Sequence, residues 1–233
     1  MKGIAIITAR GGSKRIPRKN IKLFCEKPII EYSIEAALKS GCFDEVMVST
    51  DDPEIAEISR SCGANVPFMR SIKNSDDFST TADVLSEVIS EYETRGKHFD
   101  YMACIYPTAP FVTAEKLKYA VEELKRTNAL MLMPVVEFSY PPQRGYIIKD
   151  DKIEMKWKEN LTKRSQDLEK IYHDCGQFYV YDMDGFKKNN GMIHDNIVPL
   201  FMNEMEVQDI DNESDWKLAE MKYRIGREQN GGC

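Results

Sequence analysis

The stretch Ile4-Ala5-Ile6-Ile7-Thr8-Ala9-Arg10-Gly11-Gly12-Ser13-Lys14-Arg15-Ile16-Pro17-Arg18-Lys19-Asn20 decides how this chain is read. An apolar run that opens directly into two glycines and five cations has the pattern of a buried strand ending in an anion-binding loop. Gly11 and Gly12 are expected to take φ > 0 and to let peptide N–H groups approach a phosphate. Arg10, Lys14, Arg15, Arg18 and Lys19 supply more charge than folding needs, so a ligand with several negative charges, a polyphosphate, is expected. Pro17 stiffens the far side of the loop. The spacing is neither a Walker loop nor G-x-G-x-x-G. Its place after the first apolar strand, where open α/β sheets bind ligands, sets it apart from a solvated basic loop.

Downstream, apolar residues at helical spacing predict a helix over Pro28 to Lys39, closed by Gly41. Val46 to Thr50 reads as a strand, and Asp51-Asp52-Pro53 opens a helix from Glu54 to Cys62. Val66 to Phe68 is a short extended piece delivering Arg70. Ser71 to Phe78 is polar and irregular, and Ser79-Thr80-Thr81-Ala82-Asp83 leads into a helix over Val84 to Tyr92. Tyr101 to Ile105 is a buried strand running into Tyr106-Pro107-Thr108-Ala109-Pro110-Phe111, followed by a helix over Ala114 to Thr127 and a strand over Ala129 to Val136. This alternation predicts an α/β fold of three layers, α/β/α and Rossmann-like, with a mostly parallel sheet.

From Phe138 to Lys170 the periodicity changes. Pro141-Pro142, an apparent hairpin around Lys149-Asp150-Asp151-Lys152 and an exposed-looking Trp157 describe a small β-rich excursion from a single domain spanning residues 1–233. Its aromatics make it the expected subunit interface. Gly176 to Tyr181 returns to the main sheet, a short helix runs from Met183 to Asn189, Val198 to Phe201 is a further strand, and Asn212 caps a last helix from Glu213 to about Arg227. The tail Gln229 to Cys233 is expected to fray.

A length of 233 residues supports one sizeable core, and a composition of 42% hydrophobic and 30% charged residues is that of an ordinary globular protein. A formal charge of −6 argues against general nucleic-acid or anionic-membrane partners. Six scattered cysteines, with no C-x-x-C pair and no zinc-like spacing to the three histidines, read as reduced thiols of a cytoplasmic protein. No signal peptide and no membrane-length apolar run is apparent.

Three further clusters bear on chemistry. In an extended Asp209-Ile210-Asp211 the two carboxylates share a face while Ile210 points to the core. Such a pair suits Mg²⁺ together with phosphates; equally, Asp211 reads as a cap of the last helix with Asp209 solvated. In His173-Asp174-Cys175-Gly176-Gln177-Phe178 a thiol–imidazole hydrolase is rejected for want of any supporting motif. As a strand, this string puts His173, Cys175 and Gln177 on one side, where His173 and Gln177 either bond a polyhydroxylated, acylated sugar or are satisfied structurally. Arg164 either forks a substrate carboxylate or makes a surface ion pair. Ser79, Thr80 and Thr81 cap a helix or hold a ligand. A basic polyphosphate loop facing paired carboxylates is equipment for displacement at phosphorus, with no side-chain nucleophile required.

The string TARGGSKRIPRKNIK resembles the start of the CMP-sialic acid synthetases, the acylneuraminate cytidylyltransferase family, and the likeness continues through Phe68-Met69-Arg70, Cys104 to Phe111, Arg164 to Leu168 and Val207 to Asp211. CIYPTAPF, RSQDL and HDCGQFYV are most similar to the branch acting on pseudaminic acid. The resemblance implies the nucleotide-diphospho-sugar transferase fold, a homodimer joined through the excursion, and transfer of CMP from CTP to a nonulosonic acid with release of pyrophosphate. It implies that Arg10 and Lys19 hold phosphates, that Ala9, Gly11, Gly12, Ser13 and Asn20 lie at the nucleotide, and that Arg70 with Ser79, Thr80 and Thr81 lies at the cytidine end. Asp209 and Asp211 would bind Mg²⁺, and Tyr106, Arg164, His173 and Gln177 would face the sugar. Tyr106 stands where the sialic acid enzymes carry Gln, which points away from N-acetylneuraminic acid. Legionaminic, neuraminic or 3-deoxy-manno-octulosonic acid as acceptor, a non-catalytic sugar-nucleotide binder and a glycosyltransferase are the rival readings. The last is disfavoured because its D-x-D usually lies in mid-chain.

Overall fold

The computed structural model describes residues 1–229. From β1 (Gly3–Thr8) the chain passes through a short antiparallel pair, β2 (Leu23–Phe24) and β3 (Lys27–Pro28), into α1 (Ile29–Ser40), then β4 (Glu45–Ser49), α2 (Pro53–Ser61), α3 (Thr81–Thr94), β5 (Tyr101–Ile105) and α4 (Ala114–Thr127). β6 (Met131–Glu137) leads to the hairpin β7 (Tyr146–Lys149) and β8 (Lys152–Met155), then β9 (Tyr172–Asp174), β10 (Phe178–Asp182), α5 (Met183–Lys188), β11 (Ile197–Phe201) and α6 (Glu213–Gln229).

The main sheet has the order β11-β6-β10-β5-β1-β4, with β9 beside β6. β4, β1 and β5 run parallel, β6 and β11 run parallel, and β10 is antiparallel to both β5 and β6. The mostly parallel sheet expected from the alternation is therefore present, with β9 and β10 reversed. The reversal has a simple cause: after β6 the chain makes its excursion and comes back directly, without the crossover helix that parallel pairing requires.

Strand alternation sorts the core into two faces. Ala5 and Ile7 of β1, Val46 and Val48 of β4 and Ala103 and Ile105 of β5 meet Ile30 and Ile34 of α1, Ile55 of α2 and Leu117 and Val121 of α4. On the other face Ile4, Ile6, Met47, Met102 and Cys104 meet Leu85, Val88 and Tyr92 of α3 and Phe186 of α5. β1, covered on both faces, reads as a continuous apolar run for that reason.

A third cluster matters more for the site. Ile16 of the basic loop and Ile210 of the acidic triplet are both 1% exposed and share it with Phe24, Trp216 and Ala219. Two strongly charged segments are thus docked through their one apolar residue each, under α6.

The caps account for several element boundaries. Asp52 accepts from Glu54 and Ile55 N–H groups at 2.9 and 3.1 Å, with Pro53 opening α2. Thr80 and Asp83 bond each other's backbone N–H groups, so α3 begins at Thr81 rather than at Val84 as the apolar pattern predicts. The hairpin around Asp150 and Asp151 is present, with both turn residues at positive φ, 49° and 58°. Trp157 is half-buried, not exposed. Its ring lies over Gly145, where a Cβ would stand 3.6 Å from Cζ3, and Lys156 covers it at 4.6 Å. Beyond Gln229 the tail expected to fray falls outside the described residues.

Candidate active site

β1, β4 and β5 end side by side, and the segments that leave them wall a cleft at the carboxyl edge of the sheet, where an open α/β sheet presents its crevice. Its central lobe, about 450 Å³, runs between Arg10, Lys19 and Asn20 on one wall and Tyr106 and Asp211 on the other. A second lobe of about 270 Å³ shares Thr8, Arg10 and Asp77 with it and ends on Arg70, Ser79, Thr80 and Thr81. A third, about 490 Å³, shares Tyr106 with the central lobe and holds His173, Asp174, Asp209 and Lys222. The three form one trough, with Arg10 at one junction and Tyr106 at the other.

The basic loop is held in shape by acids from the β4–α2 turn. Arg18, at φ 55°, clamps Asp52 and Glu54, so this cation belongs to the scaffold and not to the cleft. The Arg18 guanidinium in turn holds the Asp52 carboxyl below its usual range. Gly11 donates its N–H to Asp51 at 2.8 Å, and a Cβ there would lie 2.8 Å from Asp52 Oδ2. The expectation of positive φ at Gly11 and Gly12 is therefore corrected: neither glycine takes it, Gly11 is required by close approach to Asp52, and Gly12 has open space around it. Ala9 is likewise a core residue, fully buried among the α1 and α2 contacts. Ser13 lines the central lobe. Asn20, 5% exposed, donates to the Arg10 carbonyl at 2.8 Å and fixes the loop from within.

Two of the cations that face the cleft, Arg10 and Lys14, are engaged by one acid. Arg10 donates to Asp77 at 2.7 Å and to the Asp76 carbonyl at 3.1 Å, and Lys14 pairs with the same Asp77. These contacts hold the exposed Asp77 carboxyl below its usual range, Lys14 first and Arg10 second. Sequence reasoning missed Asp77, although an Asp76-Asp77 pair just before a hydroxyl cluster is a visible anomaly. Arg70 is 8% exposed and donates to Ser49 Oγ and the Ser49 carbonyl at 3.0 and 2.6 Å. Burial lowers its pKa, yet an arginine remains charged. A buried cation thus faces Ser79, Thr80 and Thr81 at one end of the trough. Thr80 serves as a cap, and Ser79 Oγ bonds Asp76 and the Lys73 carbonyl at 2.7 and 3.0 Å.

At the other wall Ile210 is buried and places Asp211 in the central lobe and Asp209 in the third. The cap reading of Asp211 fails: Asn212 accepts from Ser214 and Asp215 N–H groups, and Asp215 accepts from those of Asp211 and Asn212. The Asp211 carboxylate instead accepts from Arg15 at 2.7 Å. Lys19 donates to the Ile210 carbonyl at 2.7 Å; burial lowers its pKa, while Asp211 and then Asp209 pull it back up. One ammonium therefore lies within the field of both carboxylates. The ligand atoms that Asp209 and Asp211 offer beside these two cationic side chains are oxygens, the chemistry of a hard cation.

Tyr106 packs edge-on against Tyr179 at 5.8 Å, and burial raises its pKa. Tyr179 O–H donates to Asp174 at 2.5 Å. His173 lines the third lobe, its ring against Phe138 at 4.7 Å. Gln177 does not: the strand expected to align it with His173 and Cys175 is broken at Gly176, φ 61°, and Gln177 turns inward at 2% exposure. Arg164 lies in the excursion, forked onto Asp167 at 2.8 and 3.0 Å, and lines none of the three lobes. Within this chain it is the surface ion pair.

A family profile described as cytidylyltransferase matches residues 4–192. The chain is 38% identical to a pseudaminic acid cytidylyltransferase of Campylobacter jejuni over 98% of its own length and 99% of the relative's. It is 32% identical to a CMP-N,N'-diacetyllegionaminic acid synthase of Legionella pneumophila, covering 98% and 99% of the two chains. Its fold is similar to that of a CMP:2-keto-3-deoxy-manno-octonic acid synthetase solved with CTP, at a TM-score of 0.70 and 18% identity over 98% of this chain and 100% of that one. With a basic loop, a buried arginine and a carboxylate wall around one trough, and with a profile that covers most of its length, the chain belongs to the cytidylyltransferase family.

Proposed function

We propose that the trough transfers CMP from CTP to a nonulosonic acid and releases pyrophosphate. The observation that carries this reading is the placement of Arg10 and Lys19 opposite Asp211 in one lobe, between an arginine-and-hydroxyl lobe and a histidine-bearing lobe. Arg10 and Lys19 hold the phosphates, with Lys14 beside Arg10 at the β- and γ-phosphates, and Arg70 with Ser79 to Thr81 takes the cytidine end. The sugar lies beyond Tyr106 against His173. Its anomeric oxygen bonds the α-phosphorus as the bond to the pyrophosphate oxygen breaks; the sugar hydroxyl proton passes to solvent, and the departing charge stays on Arg10 and Lys14.

Asp209 and Asp211 would hold Mg²⁺. Among the described residues no group of three or more His, Cys, Asp or Glu is placed to hold a metal, so these two carboxylates are the protein ligands the proposal rests on. When bound, the ion supplies neutralisation of phosphate charge. Arg15, on one Asp211 oxygen, keeps that carboxylate turned into the lobe.

Pseudaminic acid is the favoured acceptor, supported by the 38% relative and by Tyr106; legionaminic acid is the alternative, supported by the 32% relative. The excursion over residues 138–170 is read as the dimer contact. Ile148 and Ile153, directly opposed in the hairpin, are 81% and 72% exposed, and a lone two-stranded hairpin needs something to pack on. Arg164 would then serve the partner's sugar lobe. No helix among the described residues is long and apolar enough to cross a membrane. The reading is of a cytoplasmic enzyme whose CMP-sugar feeds surface-glycan or flagellin glycosylation.

The test is pyrophosphate release from CTP and Mg²⁺ with pseudaminic, legionaminic and N-acetylneuraminic acids in parallel, and with an EDTA control. Release with pseudaminic acid that EDTA abolishes is the expected result. Release with another acid reassigns the sugar, and release with none of them overturns the reading.

A further inference from the structure

The segment Glu204–Asp211 carries the two carboxylates yet belongs to no strand, so no ladder of sheet bonds fixes it. Its carbonyls are met by side chains from elsewhere. Lys222 Nζ donates to those of Glu204 and Val207 at 3.1 and 2.8 Å, Lys19 Nζ to that of Ile210 at 2.7 Å, and Gln177 Nε2 to that of Glu206 at 2.6 Å. Gln177 is the neutral donor of this set, and at 2% exposure it is enclosed. Its own carbonyl accepts the Tyr106 N–H at 2.8 Å. One residue therefore ties the turn that carries Tyr106 to the segment that carries Asp209 and Asp211.

An amide is a poor filler for this position. Gln177 Oε1 is buried and, among the described residues, has no hydrogen-bond partner. A buried orphan acceptor is destabilising, whereas an apolar side chain of similar shape is not. Exchanging the amide oxygen and nitrogen does not help, since that sets oxygen against the Glu206 carbonyl oxygen. What glutamine adds over methionine is the Nε2 donor alone.

On the cytidylyl-transfer reading above, we propose that Gln177 is a positioning residue for the acidic segment and not a sugar contact: its bond to the Glu206 carbonyl sets where Asp209 and Asp211 stand relative to Tyr106, and through them the affinity for a divalent cation. Residues that orient ligating side chains change metal affinity without touching the metal.

The experiment titrates the full chain with Mn²⁺ alone, followed by electron paramagnetic resonance, for the parent, Gln177→Met and Asp211→Ala. Gln177→Leu serves where methionine is not accommodated. Gln177→Met is expected to keep the parent's thermal midpoint or exceed it, to bind Mn²⁺ about tenfold more weakly, and to raise the half-activating Mg²⁺ concentration in step, with the sugar KM within about twofold. Unchanged Mn²⁺ affinity with a raised sugar KM overturns the proposal in favour of direct sugar contact, and no change in any of these parameters overturns it outright. Undiminished Mn²⁺ binding by Asp211→Ala instead removes the cation site itself, and the proposal with it.

Discussion

Arg15 Nη2 donates to Asp211 Oδ1 at 2.7 Å across 196 positions of sequence, joining the basic loop to the acidic segment at the lip of the central lobe. Both side chains are well exposed, 67% and 40%, so the bond contributes no more than about 1 kcal/mol to stability. Asp211→Ala is therefore expected to melt within a few degrees of the parent while pyrophosphate release falls by about two to three orders of magnitude. Undiminished turnover in Mg²⁺ would take Asp211 out of the site.

Asp77 stands on Arg10 and Lys14, the cations assigned to the departing pyrophosphate, and incoming nucleotide has to replace it. Asp77→Asn removes the competing charge. CTP binding measured by calorimetry should tighten about two- to fivefold, with a steeper dependence on salt, since the site then meets the triphosphate with more net positive charge. Weaker binding would mean that Asp77 orients the two cations and does not compete for them.

Gly11 and Gly12 are adjacent and should behave differently. A Cβ on Gly11 meets Asp52 Cβ at 3.0 Å and its carboxylate at 2.8 Å, whereas a Cβ on Gly12 meets nothing within 4 Å. Gly11→Ala is expected to cost about 1–3 kcal/mol and to disturb CTP binding, and Gly12→Ala to do neither. Urea unfolding of the two variants side by side checks this, and equal losses would refute it.

Glu35 on α1 accepts from Lys27 and Lys39 at 2.6 and 2.7 Å, and these bonds hold its carboxyl at about 2 against an ordinary 4.5. A depressed folded-state value stabilises above the unfolded value and is lost as the pH falls toward 2. Allowing for solvent screening at a side chain that is one-third exposed, the contribution is about 1 kcal/mol. The stability gap between the parent and Glu35→Gln should accordingly be present at pH 6 and shrink by pH 3. A gap that persists unchanged in acid would show that the two lysines do not hold Glu35.

Ile148 and Ile153 face each other across the hairpin with most of their surface in solvent. If they meet a second copy, Ile148→Asp together with Ile153→Asp should weaken association by about 2 kcal/mol or more, seen by light scattering as a shift toward monomer. A parent that is monomeric at all concentrations would refute the contact.

Where the sequence carries local signals, the fold is legible in it. The run Ile4 to Ile7, the Asp52-Pro53 cap and the two aspartates of the hairpin turn each specify their element through local rules. The direction of β10 is not legible, because it depends on the route the chain takes after β6. Among the residues that line the trough, Arg10, Lys19, Asn20, Arg70, Tyr106, His173, Asp209 and Asp211 stand out in the sequence, through their charge or through the family resemblance. Gln177 was misassigned: strand alternation from His173 fails at Gly176, where φ of 61° turns the chain. The doubled aspartate at Asp76-Asp77 is visible in the sequence but its role is not, because nothing in an exposed acid announces a partner 63 residues away. At Gly11 the sequence suggests freedom of φ, whereas the constraint is the close approach of Asp52, brought in by the segment after β4.

The shared burial of Ile16 and Ile210 has an optical consequence. Trp216 lies 3% exposed in the same cluster, and Lys22 sits over its ring at 4.7 Å, so its emission is tuned by whatever moves the two charged walls against each other. Of the chain's two tryptophans the other, Trp157, stands at the foot of the exposed hairpin. The chain carries one tryptophan beneath its two charged walls and a separate one at the hairpin, and exchanging either for phenylalanine isolates the emission of the other.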